Sequence, residues 1–178
     1  MSKILLADNT LYDKLATHKE GLKHFAFSVF LFNQDNNLLI QKRAKNKYHS
    51  GSLWSNTCCS HFRSLNEFNN RIRAIKQRLF DELGLSFDGI LNEVCVFEYQ
   101  SDVGSGLTEN EIDYIYTGKI DNNDKYTLNK NEVEEIDFIE LAELKKKIFT
   151  DPNKYTEWLK IILKNEELLQ KINQSLAG

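Results

Sequence analysis

One segment, residues 23–32 with the sequence KHFAFSVFLF, constrains the fold more than any other. It is rich in aromatic residues, and apolar side chains occupy both its odd and its even positions. Since alternate residues of a strand face opposite sides of a sheet, we expect a strand that is buried on both faces. Such a strand lies at the centre of a sheet that other layers cover on both sides. The segment is also far shorter than the roughly 20 apolar residues of a membrane-spanning helix.

Further strands are predicted on both sides of a turn-rich segment. Residues 33–37, Asn-Gln-Asp-Asn-Asn, carry turn chemistry before the apolar run 38–42, so the two runs are expected to form a hairpin. A third extended stretch, residues 53–61, follows the loop Ser50-Gly51-Ser52 and contains two adjacent cysteines. Later strands are predicted at residues 94–99, 111–120 and 136–139.

The clearest helix begins after the third stretch. Ser64 and Glu67 have the spacing of a capping box, and Gly84 is expected to end the helix. Pro152, the only proline, separates two further predicted helices at residues 141–148 and 155–172. Between Ser64 and Gly84, apolar residues recur at spacings of three and four: Leu65, Phe68, Ile72, Ile75, Leu79 and Leu83. These elements predict an α+β fold, a mixed β-sheet sandwiched between α-helices, in a single domain over residues 1–178.

Composition narrows the class of protein. A chain of 178 residues buries roughly 70% of the surface that its unfolded form exposes, so it needs no disulfide or metal staple. The net charge of -3, from 23 basic and 26 acidic residues, argues against a broad nucleic-acid-binding surface. Three cysteines, an odd number, and the lack of an apolar leader indicate a reducing compartment, which we expect to be the cytoplasm. We expect no nucleic-acid or membrane partner.

The first candidate site combines scarce histidines with two glutamates. The chain has four histidines, and His18, His24 and His61 fall near predicted strands or beside the cysteine pair. Glu109 and Glu111 stand two apart on a predicted strand, so both project from one face. Three imidazoles and two carboxylates would suit a divalent metal ion. Each residue alone is more often structural or solvated, and the conjunction favours the metal.

A cysteine pair forms the second candidate. Strand alternation places Cys59 and His61 on one face and Cys58 on the other. A thiol beside a metal or a cation can move protons or attack as a nucleophile. Two small buried apolar residues would show the same pattern. The residues alone leave both interpretations open.

Two further features have ordinary explanations. Arg78 and Glu82 stand four apart on the long helix, which is the spacing of a surface ion pair. Trp158 has helical spacing with Ile161 and Ile162, a pattern typical of core packing.

Several short motifs follow one another along the chain. They are His18 with His24 and Ala26-Phe27-Ser28, Leu38-Leu39-Ile40-Gln41-Lys42-Arg43, Ser55-Asn56-Thr57-Cys58-Cys59-Ser60-His61, Arg78 with Glu82-Leu83-Gly84, Phe97-Glu98-Tyr99, and Thr108-Glu109-Asn110-Glu111. In these motifs the chain resembles the type 1 isopentenyl-diphosphate isomerases, which have a Nudix-like fold. The similarity spans roughly residues 14–158, and its most specific part is the order and distance of residues 56–61 and 109–111.

The resemblance implies an isomerase of isoprenoid biosynthesis, with a catalytic core at about residues 14–163. Its reaction converts isopentenyl diphosphate to dimethylallyl diphosphate by protonating an alkene and removing a proton elsewhere. It implies Cys59 and Glu111 as the acid/base groups on opposite faces of the substrate, Tyr99 as assistant to Glu111, and Trp158 against the isoprenoid tail.

The resemblance also implies how the metals and the diphosphate are held. The metal ligands would be His18, His24, His61, Glu109 and Glu111. Glu82 would hold a second Mg²⁺ that bridges the diphosphate, and the basic contacts would come from Lys14, Arg43, Lys47 and Arg78. The ligand types suit Mg²⁺ or Mn²⁺, and Zn²⁺ is expected to compete for them on purification. His49 is left without a role, and the chain is expected to act on a small prenyl diphosphate as a monomer.

Some residues depart from the family patterns. Between His61 and Gly84 there is no glycine, and Arg78 stands where a Nudix hydrolase would place a glutamate. Ser50 and Phe62 stand where prolines are expected in the isomerases, so the loops there are predicted to differ in shape.

Two alternative functions remain: a Nudix-type hydrolase of a nucleoside or prenyl diphosphate, and a catalytically silent diphosphate-binding module.

Overall fold

The computed structural model describes residues 2–176, which form nine strands and six α-helices. The strands are β1 (Lys3–Leu5), β2 (Leu11–Asp13), β3 (His24–Phe32), β4 (Leu38–Arg43), β5 (Trp54–Ser55), β6 (Cys58–His61), β7 (Asn92–Asp102), β8 (Thr108–Lys119) and β9 (Val133–Ile139). The helices are α1 (Lys14–Glu20), α2 (Leu65–Asn69), α3 (Arg71–Leu83), α4 (Leu141–Thr150), α5 (Glu157–Lys164) and α6 (Glu166–Ser175). Strands β1 and β2 form a separate ribbon.

Strand β3 is the central strand that the apolar segment predicts. All of its residues are buried except Phe25, which is partly buried. Strand β8 runs parallel to it along one edge, and β6 pairs antiparallel along the other. The predicted hairpin partner β4 pairs with β3 only at Phe32 and Leu38, then diverges to pair with β5 and β9. The result is a mixed sheet in the order β5-β4-β3-β8-β7, with β6 added to β3 and β9 added to β4.

Apolar side chains on the two faces of β3 fill two different cores. Phe30 and Phe32 pack with the C-terminal helices, including Leu159 and Ile162 of α5. The alternate residues Phe27, Val29 and Leu31 pack with α3, through Ile75, Leu79 and Leu83. This arrangement confirms the predicted mixed sheet with helices on both faces.

The long predicted helix is interrupted at Asn70. The Asn70 side chain donates to the Asn66 carbonyl oxygen at 2.9 Å, and the residue leaves helical geometry with ψ of 46°, so α2 and α3 are separate. The capping box forms in part: Ser64 Oγ accepts from Glu67 N, but the Glu67 carboxylate accepts from Arg63 N. Leu65 and Ile72 are exposed, so the apolar stripe is buried only from Ile75 onward.

Two other elements that were predicted to be continuous are each split into two in the structure. The stretch 53–61 becomes β5 and β6, because Thr57 Oγ1 donates to the Leu39 carbonyl and Asn56 Nδ2 to the Val29 carbonyl, where β3 and β4 separate. The C-terminal helix ends before Asn165, whose side chain accepts from the backbone of Glu167 and Leu168 and caps α6. Strands β1 and β2 and helix α1 were not predicted from the sequence. Among residues 2–176, no helix combines the length and apolar character needed to cross a membrane.

The burial of β3 predicts that replacing two different phenylalanines by alanine will have very different effects on stability. Phe30 is fully buried and Phe149 is 90% exposed. We expect Phe30→Ala to lower the free energy of unfolding by about 3–5 kcal/mol, because it leaves a cavity between β3 and the C-terminal helices. Phe149→Ala is the control and should change it by less than about 0.5 kcal/mol. Denaturant unfolding of both variants measures the difference, and equal losses would contradict the assigned core.

Candidate active site and metal centre

The strand pairings place the chemical groups side by side. His24 of β3 lies opposite Glu111 of β8, and Tyr99 of β7 lies opposite Glu111 on its other side. Cys59 of β6 lies opposite Ser28 of β3. Glu109, two residues before Glu111, is also buried, so the carboxylate pair is directed inward.

His18 lies on a different kind of element from the strand that the sequence analysis expected near it. It lies on α1 rather than at the margin of a strand, and it is fully buried. Asp13 caps this helix by accepting from Ala16 N. The helix therefore packs an imidazole against β8 from outside the main sheet.

Three histidines converge on one oxygen of Glu109. The Nε2 atoms of His18, His24 and His61 lie 3.0, 3.3 and 3.5 Å from Glu109 Oε2. These four donor atoms all lie within 4.8 Å of one another. Glu111 Oε1 adjoins the group, at 3.0 Å from His61 Nε2 and 3.7 Å from His24 Nε2. The set has the composition of a divalent metal centre.

The hydrogen bonds around this cluster fit a bound metal ion. His18 Nδ1 lies 2.6 Å from the Lys14 carbonyl oxygen, and His24 Nδ1 lies 2.8 Å from that of Leu22. A carbonyl oxygen only accepts, so each Nδ1 carries a proton, and each Nε2 is the inward-facing nitrogen that a metal ion would bind. His24 Nε2 and Glu109 Oε2 are buried without a hydrogen-bond partner. A cation would satisfy both.

Charge in the cluster is strongly perturbed. Although burial opposes it, contacts with Glu109 and Glu111 raise the pKa of His24 to about 10. Burial lowers the pKa of His61. Burial would raise the pKa of Glu109, but contacts with the surrounding histidines hold it well below its usual range. A metal ion that binds here must displace the His24 proton.

Glu111 and Cys59 have opposite protonation tendencies. Tyr99 Oη donates to Glu111 Oε2 at 2.6 Å. Despite burial and the neighbouring Glu109 charge, contacts with His24 and His61 lower the pKa of Glu111. Burial, followed by the charge of Glu111, raises the pKa of the Cys59 thiol well above its usual value. A carboxylate and a neutral thiol thus line one pocket.

A buried carboxyl that sequence reasoning missed lies behind Cys59. Ser28 Oγ lies 2.8 Å from Asp113 Oδ2 and 3.7 Å from Cys59 Sγ. Burial, followed by the charge of Glu111, raises the pKa of Asp113 well above its usual range. Its place on the same strand face as Glu109 and Glu111 was the available signal.

Trp158 belongs both to the core and to the pocket wall. It is 2% exposed and packs among the C-terminal helices, as its helical spacing predicts. Its Nε1 donates to Ser55 Oγ at 2.9 Å and lies 3.2 Å from Asn56 Oδ1. The Arg43 guanidinium lies 5.0 Å from the ring centroid. The indole ring is therefore fixed beside the pocket.

Four basic side chains line the same pocket: Lys14, Arg43, Lys47 and Arg78. Burial, followed by the charge of Lys47, lowers the pKa of Lys14 to about 8. Glu82 also lines the pocket, and its Oε1 lies 3.9 Å from Arg78 Nε, so this pair is not an ordinary surface ion pair. Lys47 is bonded to Glu132, an acidic residue that the sequence did not single out. This end of the pocket is suited to a multiply charged anion.

Cys58 faces away from the thiol of Cys59. It is fully buried against the core of α3, and its Sγ lies 3.6 Å from Glu82 Oε2. Phe62 is also fully buried in this core.

His49, which the sequence left without a role, lies at the metal cluster. It is 6% exposed, and its Nε2 lies 2.9 Å from Glu109 Oε1. Burial lowers its pKa to about 4, so the ring is neutral. The neighbouring Tyr48 hydroxyl lies 3.3 Å from His18 Nε2. The scarcity of histidine, which drew attention to the other three, was the signal that applied here too.

Comparison with families of known proteins gives one domain match. Residues 22–159 match the model of the NUDIX domain. A crystal structure of DR0079 from Deinococcus radiodurans has a TM-score of 0.70 and 14% identity, and the match covers 91% of this chain and 96% of that one. At this identity, the structural likeness concerns the fold.

Curated relatives are similar over most of the chain. One named isopentenyl-diphosphate Delta-isomerase 2, from Aromatoleum aromaticum, is 38% identical over 146 residues, covering 82% of this chain and 74% of the relative. An isopentenyl-diphosphate Delta-isomerase from Aliivibrio fischeri is 38% identical over 169 residues, covering 90% of each chain.

The geometry of the cluster predicts a metal-dependent gain in stability. Adding Mn²⁺ or Zn²⁺ should raise Tm, because the ion binds the folded cluster more tightly than the unfolded chain, with about 2.7 kcal/mol gained at 100 times Kd. Glu109→Gln should abolish most of this rise. Glu98→Gln is the control, since Glu98 is 60% exposed and paired with Lys23. The same rise in both variants would exclude Glu109 as a ligand.

Proposed function

We propose an activity from one premise: the chain belongs to the NUDIX domain family and, within it, to the isopentenyl-diphosphate Delta-isomerases. It converts isopentenyl diphosphate to dimethylallyl diphosphate. The observation that carries the proposal is one pocket that combines Cys59 and Glu111 with a metal-type cluster and a basic wall. A double-bond shift requires a proton donor and a proton acceptor, and a diphosphate requires cations.

Cys59 and Glu111 are the proposed acid/base pair. The resting thiol holds a proton on Sγ, and the resting carboxylate can accept one. Protonation of the terminal alkene carbon produces a tertiary carbocation, and loss of a proton from the other neighbouring carbon forms the new double bond. The proton count is unchanged, and in the reverse direction the two groups exchange roles. Tyr99 holds Glu111 through its 2.6 Å hydrogen bond.

Trp158 is the proposed support for the carbocation. A tertiary carbocation needs stabilisation by a group that does not attack it, and the face of an indole ring provides this. A desolvated cation–π contact contributes about 2 kcal/mol or more. The hydrogen bonds from Nε1 to Ser55 and Asn56 keep the ring oriented while the substrate binds.

The metal proposal follows from the donor set. His18, His24, His61, Glu109 and Glu111 would hold Mg²⁺ or Mn²⁺, with Zn²⁺ as a competitor for the imidazoles. When bound, such an ion supplies positive charge next to the Glu111 carboxylate. Glu82 would hold a second Mg²⁺ against the diphosphate.

The basic wall is the proposed diphosphate site. Lys14, Arg43, Lys47 and Arg78 repel one another until an anion joins them, and this repulsion favours binding of a diphosphate. Anchoring the charged end holds the small tail between the acid and the base. Since one chain supplies all of these groups, we infer that it acts as a monomer. The required Cys59 thiol agrees with a reducing, cytoplasmic compartment.

The structure gives less support to hydrolysis. Within α3, Glu82 is the buried carboxylate, whereas Asp81 is exposed. Hydrolysis in the manner of a Nudix hydrolase would call for several glutamates here, and Arg78 occupies one of the places. The isomerase therefore remains the favoured function.

Isotope exchange tests the proposed activity directly. Isopentenyl diphosphate with the protein and Mg²⁺ in D₂O should give deuterated dimethylallyl diphosphate, followed by NMR. Release of phosphate or pyrophosphate instead would identify a hydrolase. Stabilisation by the ligand with neither product nor exchange would identify a silent binding module.

Replacement of one thiol tests the acid/base assignment. Cys59→Ala should lower kcat by about 10²- to 10⁴-fold or more, because a proton-transfer group is lost. Metal content and diphosphate binding should stay close to wild type. Cys95→Ala is the control, since Cys95 is a partly buried cysteine outside the pocket-lining residues. Full activity of Cys59→Ala would refute the assignment.

The lowered pKa of Lys14 predicts that kcat/KM depends on pH. Its pKa of about 8 means that the free enzyme loses this positive charge as pH rises through 8. We expect kcat/KM to fall above this pH, and kcat to fall only at higher pH, because a bound diphosphate raises the Lys14 pKa. Lys14→Arg retains its charge and should remove this fall. An unchanged profile in the variant would assign the fall to another group.

A further inference from the structure

His49 is a buried histidine that the proposed reaction does not use. It lies on the loop between β4 and β5, with its ring against Tyr48 at a centroid distance of 4.2 Å. Arg43 holds this loop: its Nε donates to the Ser50 carbonyl at 3.2 Å, and its Nη2 donates to the His49 carbonyl at 3.3 Å. The position of the ring is therefore set by the backbone as well as by packing.

His49 and the other histidines contact different oxygens of Glu109. His49 Nε2 lies 2.9 Å from Oε1, a close charge contact that does not meet hydrogen-bond geometry, whereas the Nε2 atoms of the other three histidines surround Oε2. His49 is not a member of the four-residue donor group around Oε2. The two oxygens of the Glu109 carboxylate thus face different groups: Oε2 faces the cluster, and Oε1 faces His49.

Glu109 and Ser50 flank the two ring nitrogens of His49. His49 Nδ1 lies 3.1 Å from Ser50 Oγ, and the carboxylate near Nε2 can only accept. A proton on Nε2 would face the Glu109 carboxylate, and the Ser50 hydroxyl would then donate to Nδ1. Ser50 has φ of 50°, a conformation that proline cannot adopt. A proline here would also remove the hydroxyl.

We propose that His49 is a positioning residue, whose Nε2–H, in close contact with Glu109 Oε1, would direct Oε2 toward a cation held by His18, His24 and His61. The proposal rests on the metal site of the proposed function, but not on the isomerase reaction. Partners of this kind fix the orientation of metal-ligating carboxylates, and their loss weakens metal affinity. The His49 ring also packs nearly perpendicular to the Trp158 ring, at a centroid distance of 5.9 Å.

A pair of variants of similar size tests the proposal with Mn²⁺ alone. His49→Leu removes the N–H donor, and its Kd for Mn²⁺ should be weaker by about 10- to 100-fold. His49→Gln retains an N–H donor at similar reach, so its Kd should lie much nearer to wild type. Ser50→Ala, which leaves the ring in place, should weaken binding less than His49→Leu. The Tm of each metal-free variant shows that it is folded.

The nitrogens bound to Mn²⁺ provide a second readout. Hyperfine couplings in electron paramagnetic resonance should show three histidine nitrogens in the wild type and also in His49→Gln. Loss of one nitrogen in His49→Gln would make His49 a ligand and overturn the proposal. Equal losses of affinity in His49→Leu and His49→Gln would overturn it too, as would unchanged affinity in both His49→Leu and Ser50→Ala.

The failure of this proposal can be distinguished from failure of the proposed function. If wild-type protein binds Mn²⁺ and the variants contradict the expected order, the role of His49 is wrong and the isomerase is untouched. If wild-type protein converts isopentenyl diphosphate but does not bind Mn²⁺, the metal site and the role of His49 are both wrong.

Discussion

The parallel pairing of β3 with β8 is the constraint on which the rest of the structure depends. It places His24 against Glu111 and brings Glu109 within reach of three imidazoles. The apolar residues of β3 fill the cores on both faces, so this pairing is fixed by burial along the whole strand. Charged groups can then be held at the strand ends, where isolated carboxylates would be strongly disfavoured without histidine and cation partners.

The sequence predicts features that depend on local pattern. The two-sided burial of β3, the helix end at Gly84 and the common face of Glu109 and Glu111 all follow from residue type and spacing. The breaks at Asn70 and Asn165 each depend on the side-chain hydrogen bonds of a single asparagine, which apolar periodicity does not reveal. The helix that carries His18 is short, and only its tertiary contact with β8 gives it a place in the site.

The same burial acts differently on neighbouring titratable groups. Glu111 has histidine contacts and a tyrosine donor, so its pKa falls although it is buried. Asp113 has only the Ser28 hydroxyl beside it, and burial, followed by the charge of Glu111, raises its pKa. Burial, followed by the charge of Glu111, raises the pKa of the Cys59 thiol and favours its neutral form. The opposite protonation states of the proposed acid/base pair therefore depend on neighbouring groups as well as on burial.

A shared fold does not decide the reaction. The DR0079 structure from Deinococcus radiodurans is similar over 91% of this chain at 14% identity, which is a likeness of architecture. What differs between reactions is where the reactive groups stand relative to the anion site. Here the basic side chains and Glu82 line the same pocket as Cys59, Glu111 and Trp158. Under the proposed function, the diphosphate supplies binding energy but does not react. The bonds that change lie in the carbon skeleton, which the bound diphosphate holds in position.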